Sequence, residues 1–416
     1  MKILYVSQYF PPEMGAPAAR AAELAQHWAR TGHQVSVLTG FPNHPTGVVP
    51  EEWRARLRHL TYTERIAQVS VFRTWLWPLP NRKAHERMRN YASFCVSAAL
   101  RGLAIERPDV IIATSPQLLV GLAGWWLAFA RRVPFVFEVR DLWPESLTAV
   151  GMGNEETMLH HALARIAAFL YERSDQIVVV SPAFREHLIQ RWRLPPKKIA
   201  VVENGVETDL FAPLPPSVRL AIRAEIVTDS QFLVCYAGTM GMAHGLETLL
   251  DAADELQRQN SGVRFLLVGE GAEKARIKAI AESRKLENIR FLDQQPREKM
   301  PAIISASDAC LVLLKKTDVF KTVIPTKMLE FMSCERPVIV AVEGQARMIV
   351  EEAAAGLTIE PENSSQLVRA ILQLAADREL SSELGKKGRE YILRNFTRDQ
   401  TAERYVGILR GLTHTA

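Results

Sequence analysis

Three segments of this 416-residue chain gather side chains that could do chemistry. The first, Glu138-Val139-Arg140-Asp141-Leu142-Trp143-Pro144-Glu145, sets three acids and an arginine beside a tryptophan. Charges among apolar neighbours are costly unless paired or turned to a polar site, and carboxylates so placed could handle a proton or a developing positive charge. An Arg-Asp bridge capping the next helix is the competing explanation. The second segment, Tyr236 to Gly245, carries Gly238, Gly241 and Gly245 between a strand-like run and a helix. Its backbone N–H groups could wrap a diphosphate, with Thr239 and His244 as side-chain donors, or it could be a plain glycine-rich turn. The third is Pro325-Thr326-Lys327-Met328-Leu329-Glu330-Phe331-Met332. Thr326 is expected to cap a helix, placing Lys327 in the first turn, where a cation opposes the macrodipole unless an anionic ligand is present. Glu330 lies one turn on and could accept hydrogen bonds from a ribose diol, although an ordinary i, i+3 Lys-Glu pair has the same spacing.

Two further loops are less specific. Gly15, in Pro11-Pro12-Glu13-Met14-Gly15-Ala16-Pro17, would let a phosphate approach the start of a helix. Val268-Gly269-Glu270-Gly271 reads as a tight turn. Neither the dinucleotide fingerprint G-x-G-x-x-G after the first strand nor the P-loop G-x-x-x-x-G-K-[ST] is present. Residues 51–90 interleave arginines with Trp53, Trp75 and Trp77. Trp75, Trp77, Arg82 and Lys83 would suit an anionic bilayer and a lipid-linked pyrophosphate, or equally a solvated helix face beside a packed loop. Nucleic acid is not expected, because no binding motif accompanies the charge.

The elements that must position these loops follow from periodicity. Short Val/Ile/Leu runs alternate with helical segments, the pattern of a parallel sheet covered on both faces, so the class is α/β. Strands are expected at 3–7, 34–39, 69–73, 110–113, 135–139 and 177–180. The series restarts at 232–237, 264–268, 289–292, 309–314 and 338–341, with a short piece near Leu357. Two doubly wound domains follow, with a Pro- and Asn-Gly-rich connector near 195–217. The expected boundaries are 1–200 and 201–394, with a C-terminal helix at 395–416 that could pack back on the first domain. Ligands of such sheets bind outside the carboxyl ends of the strands, so a cleft between facing domains is expected.

Composition narrows the class further. Hydrophobic residues make up 48% and charged residues 23%, which suits a globular chain and excludes disorder. A formal charge of +5 fits anionic partners without choosing among them. Four cysteines without a C-x-x-C pair signal neither a disulfide framework nor a zinc site and fit a reducing compartment. The apolar run Leu118 to Ala130 is shorter than the ~20 residues of a spanning helix and reads as a buried helix. The N-terminus lacks the features of a secretory signal.

Taken together, the motifs resemble those of the retaining, GT-B-fold glycosyltransferases of family 4 over nearly the whole chain. The cues are the P-P-E-x-G-A loop, R-D-L-W-P-E-S from Arg140, V-x-N-G-V from Val202, A-G-T-M-G from Ala237 and P-T-K-M-L-E-F-M from Pro325. Within the family they are most similar to the WbuB-type N-acetyl-L-fucosamine transferases of O-antigen assembly. The resemblance implies a UDP-sugar donor on the second domain, with its base beside Gln294 and Gln295 and its ribose on Glu330. It puts the diphosphate near Lys327, Gly241 and Gly15, and the acceptor on the first domain near Asp141, Arg140 and Glu138. No metal and no cofactor are implied. Arg140 stands where many members have histidine, Thr239 and His244 where they have arginine and lysine, and Thr322 where they have the first acid of an E-x7-E pair.

The expected function is transfer of an N-acetylated deoxyhexose to a polyprenyl-diphosphate-linked saccharide in surface polysaccharide synthesis, by a cytoplasmic protein on the inner membrane face. A nucleotide-sugar 2-epimerase and a non-catalytic sugar-nucleotide binder are the alternatives.

Overall fold

The computed structural model describes residues 1–44, 46–80, 84–146, 157–227 and 231–413. It divides into two units, Met1–Glu203 with Asp399–Ala416, and Asn204–Arg398. The breaks fall at 203/204 and 398/399, against expected boundaries of 200 and 394.

In the first unit, eight strands form one sheet: β1 (Lys2–Val6), β2 (Gln34–Gly40), β3 (Thr61–Ile66), β4 (Val69–Thr74), β5 (Val110–Thr114), β6 (Phe135–Val139), β7 (Gln176–Val179) and β8 (Ile199–Val201). Their order is β3-β4-β2-β1-β5-β6-β7-β8, and only the β3–β4 pair is antiparallel. The order reverses at β1, which pairs with β2 on one side and β5 on the other, so the loops after β1 and β5 flank a natural binding crevice. Strands buried on both faces, such as Val110–Thr114 and Phe135–Val139, are continuously apolar in sequence except where function or pairing intrudes.

Helix Ala16–Arg30 covers one face together with the last helix, Arg398–Thr413, whose Ala402, Tyr405, Val406 and Leu409 join Trp28, Leu24 and Val37 in one core. Trp28 Nε1 donates to the Ala402 carbonyl at 3.2 Å, and its ring meets Tyr405 edge-on at 5.2 Å. Helices Ala84–Gly102, Leu119–Arg131 and Met158–Arg173 also belong to this unit. The helix Leu119–Arg131, expected to be buried, buries Val120, Gly121, Ala123, Gly124, Leu127 and Ala128 but leaves Trp126 and Phe129 41% and 66% exposed. Among the described residues, no helix is long and apolar enough to cross a membrane.

The second unit holds β9 (Phe232–Ala237), β10 (Val263–Val268), β11 (Ile289–Leu292), β12 (Ala309–Leu313), β13 (Val338–Ala341) and β14 (Gly356–Thr358) in the order β11-β10-β9-β12-β13-β14, all parallel. Here the order reverses at β9. Two apolar clusters, one on Leu233, Val312 and Met328 and one on Val234, Leu249 and Leu311, fill the two sides of the sheet.

Candidate active site

In the second unit the carboxyl ends of the strands gather the predicted phosphate-binding residues. Gly238 follows β9 with φ +133°, a conformation open to glycine, and its turn is exposed at Gly238 and Thr239. The turn rests on the next loop: Gly238 N donates to Val268 O at 2.9 Å and Met240 N to Glu270 O at 2.8 Å. Gly269 and Gly271 lie so close beneath it that a Cβ on either would overlap the carbonyls of Gly238 and Met240. The G-E-G element thus supports the Gly238–Gly241 turn from below.

Lys327 is the second residue of helix Thr326–Ser333, whose first turn contains no acid. Its aliphatic stem runs beside Gly238, and Nζ sits 4.1 Å from the centroid of the Tyr236 ring. Among the described residues this buried Nζ donates no hydrogen bond. Burial pushes its pKa down to about 7, with the Cys235 thiol opposing weakly. A desolvated cation beside an exposed glycine turn, at a helix start, can receive an anion. The helix is capped by Pro325 without any side-chain bond, so Thr326 is its first helical residue and does not cap it.

Beside it, Glu330 Oε1 accepts from Arg297 Nη1 at 2.8 Å, and the Arg297 guanidinium lies 4.8 Å from the Phe211 ring centroid. This pair ties the helix to the loop after β11, which carries half-buried Gln294 and Gln295; Gln295 Nε2 donates to Asp293 O at 3.1 Å. Glu330 is thereby brought to the same end of the sheet as the half-buried amide pair Gln294 and Gln295.

His244 departs from expectation. Its Nδ1 folds back on its own turn, 3.4 Å from Gly241 N and 3.3 Å from Gly241 O, and burial with the nearby Lys327 charge lowers its pKa to about 3. It is a neutral imidazole that holds the turn, so Lys327 carries the positive charge here.

The first unit sorts its acids. Glu138 is fully buried: Oε1 pairs with Arg20 Nη2 at 2.8 Å, Oε2 accepts from Tyr5 Oη at 2.7 Å, and Arg20 also donates to the carbonyls of Val202 and Glu203. Glu145 accepts from His187 at 3.3 Å and from Trp192 at 3.2 Å. Glu138 is therefore an internal counter-ion and Glu145 a brace. Asp141 is half-buried, and among the described residues no hydrogen bond reaches its carboxylate, only the peptide N–H bonding Ser115 Oγ at 3.3 Å. Burial raises its pKa to about 6 against the pull of Arg140. Arg140 itself donates to the carbonyls of Pro17 at 3.2 Å and Ala16 at 3.0 Å, fastening the exposed Gly15 turn (φ +127°) at the start of helix Ala16–Arg30.

Residues 15–205 match the family model "Glycosyl transferase 4-like domain", and residues 219–391 match "Glycosyl transferases group 1". The chain is a GT-B glycosyltransferase. It is similar to the putative colanic acid biosynthesis glycosyl transferase WcaI of Escherichia coli K12, at 24% identity over 99% of this chain and 100% of that one. Its fold is that of sucrose-phosphate synthase from Thermosynechococcus elongatus (TM-score 0.80, 21% identity, all of both chains). Anabaena HepE, solved with UDP and glucose, has a TM-score of 0.73 at 19% identity over 99% of this chain and 100% of that one.

Other features of the glycosyltransferase escaped the sequence reading. Glu13 is buried, accepts from the backbone N–H groups of Asn43 (2.8 Å), His44 (2.9 Å) and Phe10 (3.2 Å), and is pushed up to about 7 by burial. It locks the loop after β1 to the loop after β2. Tyr9 packs on His44 at 4.8 Å and Tyr91 meets Trp143 at 6.5 Å, adding aromatic surface near Asp141. Of the basic and aromatic segment, Trp53 is buried against Phe41 and Tyr62, and Arg73 is buried and paired with Glu64, so this part is internal packing. Trp77 is 48% exposed and Trp75 half-buried, while Arg82 and Lys83 lie outside the described residues.

Proposed function

We propose that this glycosyltransferase moves a sugar, with retention, from a UDP-sugar to a polyprenyl-diphosphate-linked saccharide in surface polysaccharide synthesis. The observation that carries the donor half is Lys327: a buried ammonium that donates no hydrogen bond among the described residues, beside an exposed glycine turn and one helical turn from Glu330. The diphosphate takes Lys327 and the exposed turn at Gly238 and Thr239, where the Thr239 N–H is the donor the loop's own bonds leave over, the ribose takes Glu330, and the base lies on Gln294 and Gln295. The helix start and Lys327 supply the charge that stabilises the leaving diphosphate, so the reading needs no resident metal or cofactor. Support comes from the UDP and glucose bound in HepE and from the polysaccharide context of WcaI.

Asp141 accepts the hydrogen bond of the acceptor hydroxyl, and Arg140 holds the Gly15 turn at the start of helix Ala16–Arg30. The donor sugar proposed is an N-acetylated deoxyhexose such as N-acetyl-L-fucosamine, as in the WbuB-type enzymes. Membrane attachment is proposed through the first unit, where Val96, Leu100, Leu103, Trp126 and Phe129 are exposed on helices Ala84–Gly102 and Leu119–Arg131 and on the residue run just after the former. Half-buried Arg131 and exposed Arg132, at the end of the second of these helices, add the charge an anionic bilayer attracts.

The test is a panel of UDP-, GDP- and dTDP-sugars with and without lipid-diphosphate GlcNAc, following nucleotide release, product mass and anomeric configuration. Acceptor-dependent UDP release with a mass-shifted, retained product is expected. Conversion of free donor without acceptor, or UDP binding without turnover, would overturn the reading.

A further inference from the structure

On the second unit, at the amino ends of its strands, a cavity of about 320 Å³ is lined by Arg219, Arg223, Arg378 and Asp308, with Leu220 at its apolar side. Asp308 immediately precedes β12, and the Arg378 guanidinium lies 4.8 Å from the ring centroid of Phe232, the first residue of β9. The donor-binding loops leave the other ends of these strands, so the cavity is separate from the site described above. A six-residue strand such as β9 spans roughly 20 Å.

The charges in this cavity do not balance. Asp308 is the acid of the lining, and it is shared: Oδ2 meets Arg223 at 2.8 Å and Oδ1 meets Arg378 at 2.7 Å, while its Oδ2 also accepts from Leu233 N at 2.7 Å. Arg223 is buried and further anchored on the Ala306 carbonyl at 2.9 Å. Arg219 is half-buried, and among the described residues its guanidinium makes no hydrogen bond or ion pair. Behind the lining, Arg336 donates to the Ser307 carbonyl at 3.2 Å, and burial together with the Arg219 charge holds it below the usual arginine range. Guanidinium groups crowded round one shared carboxylate repel each other, and a planar fork left open is the geometry that takes a phosphate by two parallel hydrogen bonds.

We infer that this cavity is a second anion site, which binds a small free phosphate or diphosphate ester through Arg219 and Arg378 while the Arg223–Asp308 pair holds the floor. Its volume suits a phosphorylated small molecule rather than a polymer. The inference stands apart from the donor site and does not depend on it.

Full-length protein saturated with UDP is titrated calorimetrically with inorganic pyrophosphate. Binding is expected to persist with the donor site filled and in the Lys327→Ala variant. It should weaken at least about tenfold in Arg219→Ala/Arg378→Ala, the loss of roughly one charge-assisted hydrogen bond. The Arg223–Asp308 pair is left intact, and Arg219→Gln is the second variant, because that side chain anchors nothing in the fold. Absence of pyrophosphate binding in the presence of UDP, or equal affinity in the arginine variants, overturns the inference. Phosphatidylglycerol vesicles form the other arm: arginine-dependent sedimentation with vesicles, without pyrophosphate binding, would assign the site to a lipid headgroup and overturn the free-ester reading.

Discussion

Lys327 Nζ stands 4.1 Å above the Tyr236 ring, and among the described residues that π face is its support in place of a hydrogen-bond acceptor. An ammonium so placed gains a little from the ring quadrupole and loses far more from desolvation, so it releases its proton near pH 7. A donor diphosphate selects the protonated form. UDP affinity is expected to fall as pH rises above about 7, and Lys327→Ala should weaken UDP by about 10- to 100-fold and flatten that slope. Without ligand the sign reverses: the unfolded lysine binds a proton up to about pH 10.4, so this residue makes stability rise with pH from about 7 to that value. Calorimetric UDP titrations across the range check the first statement and urea melts the second. A pH-independent UDP affinity would sink the assignment.

For Asp141 the shift is upward, to about 6. The unfolded aspartate releases its proton near pH 3.9, so the folded state loses stability as pH rises from there to about 6. If the ionised carboxylate orients the acceptor hydroxyl, turnover rises through about pH 6. Asp141→Asn should lower kcat by about 10²- to 10⁴-fold, leave Tm unchanged or higher, and abolish that limb. Wild-type turnover in the variant would remove Asp141 from the chemistry.

Glu138 is expected to behave in the opposite way. Its carboxylate neutralises fully buried Arg20, so Glu138→Ala leaves an uncompensated internal charge and should cost about 3–5 kcal/mol of stability. Denaturant unfolding gives the number directly. Full stability combined with lost turnover would return Glu138 to a catalytic role.

A methyl group at Gly269 has nowhere to go, since the carbonyl of Gly238 already occupies its place and φ is +145°. Gly269→Ala should cost about 1–3 kcal/mol and displace the loop above it, lowering UDP affinity as well as Tm. Gly262→Ala is the control: its φ is also positive, at +71°, but a Cβ there meets nothing within 4 Å. Equal effects from the two would mean that backbone conformation, and not support of the phosphate loop, is what matters at 269.

What could be read from sequence was what repeats locally. The doubly wound strands announced themselves as Val/Ile/Leu runs, and their carboxyl ends marked the loops in which Gly238, Lys327 and Asp141 are found. Strand β3 was not legible, because Thr61–Ile66 alternates between exposed and half-buried positions and never shows a buried face. Strand β8 was hidden in the proline-rich connector, where three residues are too few to carry a period. Long-range pairing was invisible for a different reason. Nothing near Glu138 in the chain signals Arg20, and nothing near Glu330 signals Arg297, since both partners arrive through sheet topology. The helix Leu119–Arg131 is apolar all round, so its composition could not tell which side would be left uncovered at Trp126 and Phe129. Thr326 was misread because a threonine before an apolar helical run is an N-cap signal, whereas here Pro325 occupies that position.

The closing helix carries a consequence for biogenesis. Ala402, Tyr405, Val406 and Leu409 complete the core around Trp28, yet the whole of Asn204–Arg398 is synthesised between them and the strands they cover. As the nascent chain leaves the ribosome, the second unit has all of its residues before the first one does. The N-terminal sheet must wait with its Trp28 face uncovered, and a chain truncated after Arg398 would be a finished second unit attached to a first one that cannot close.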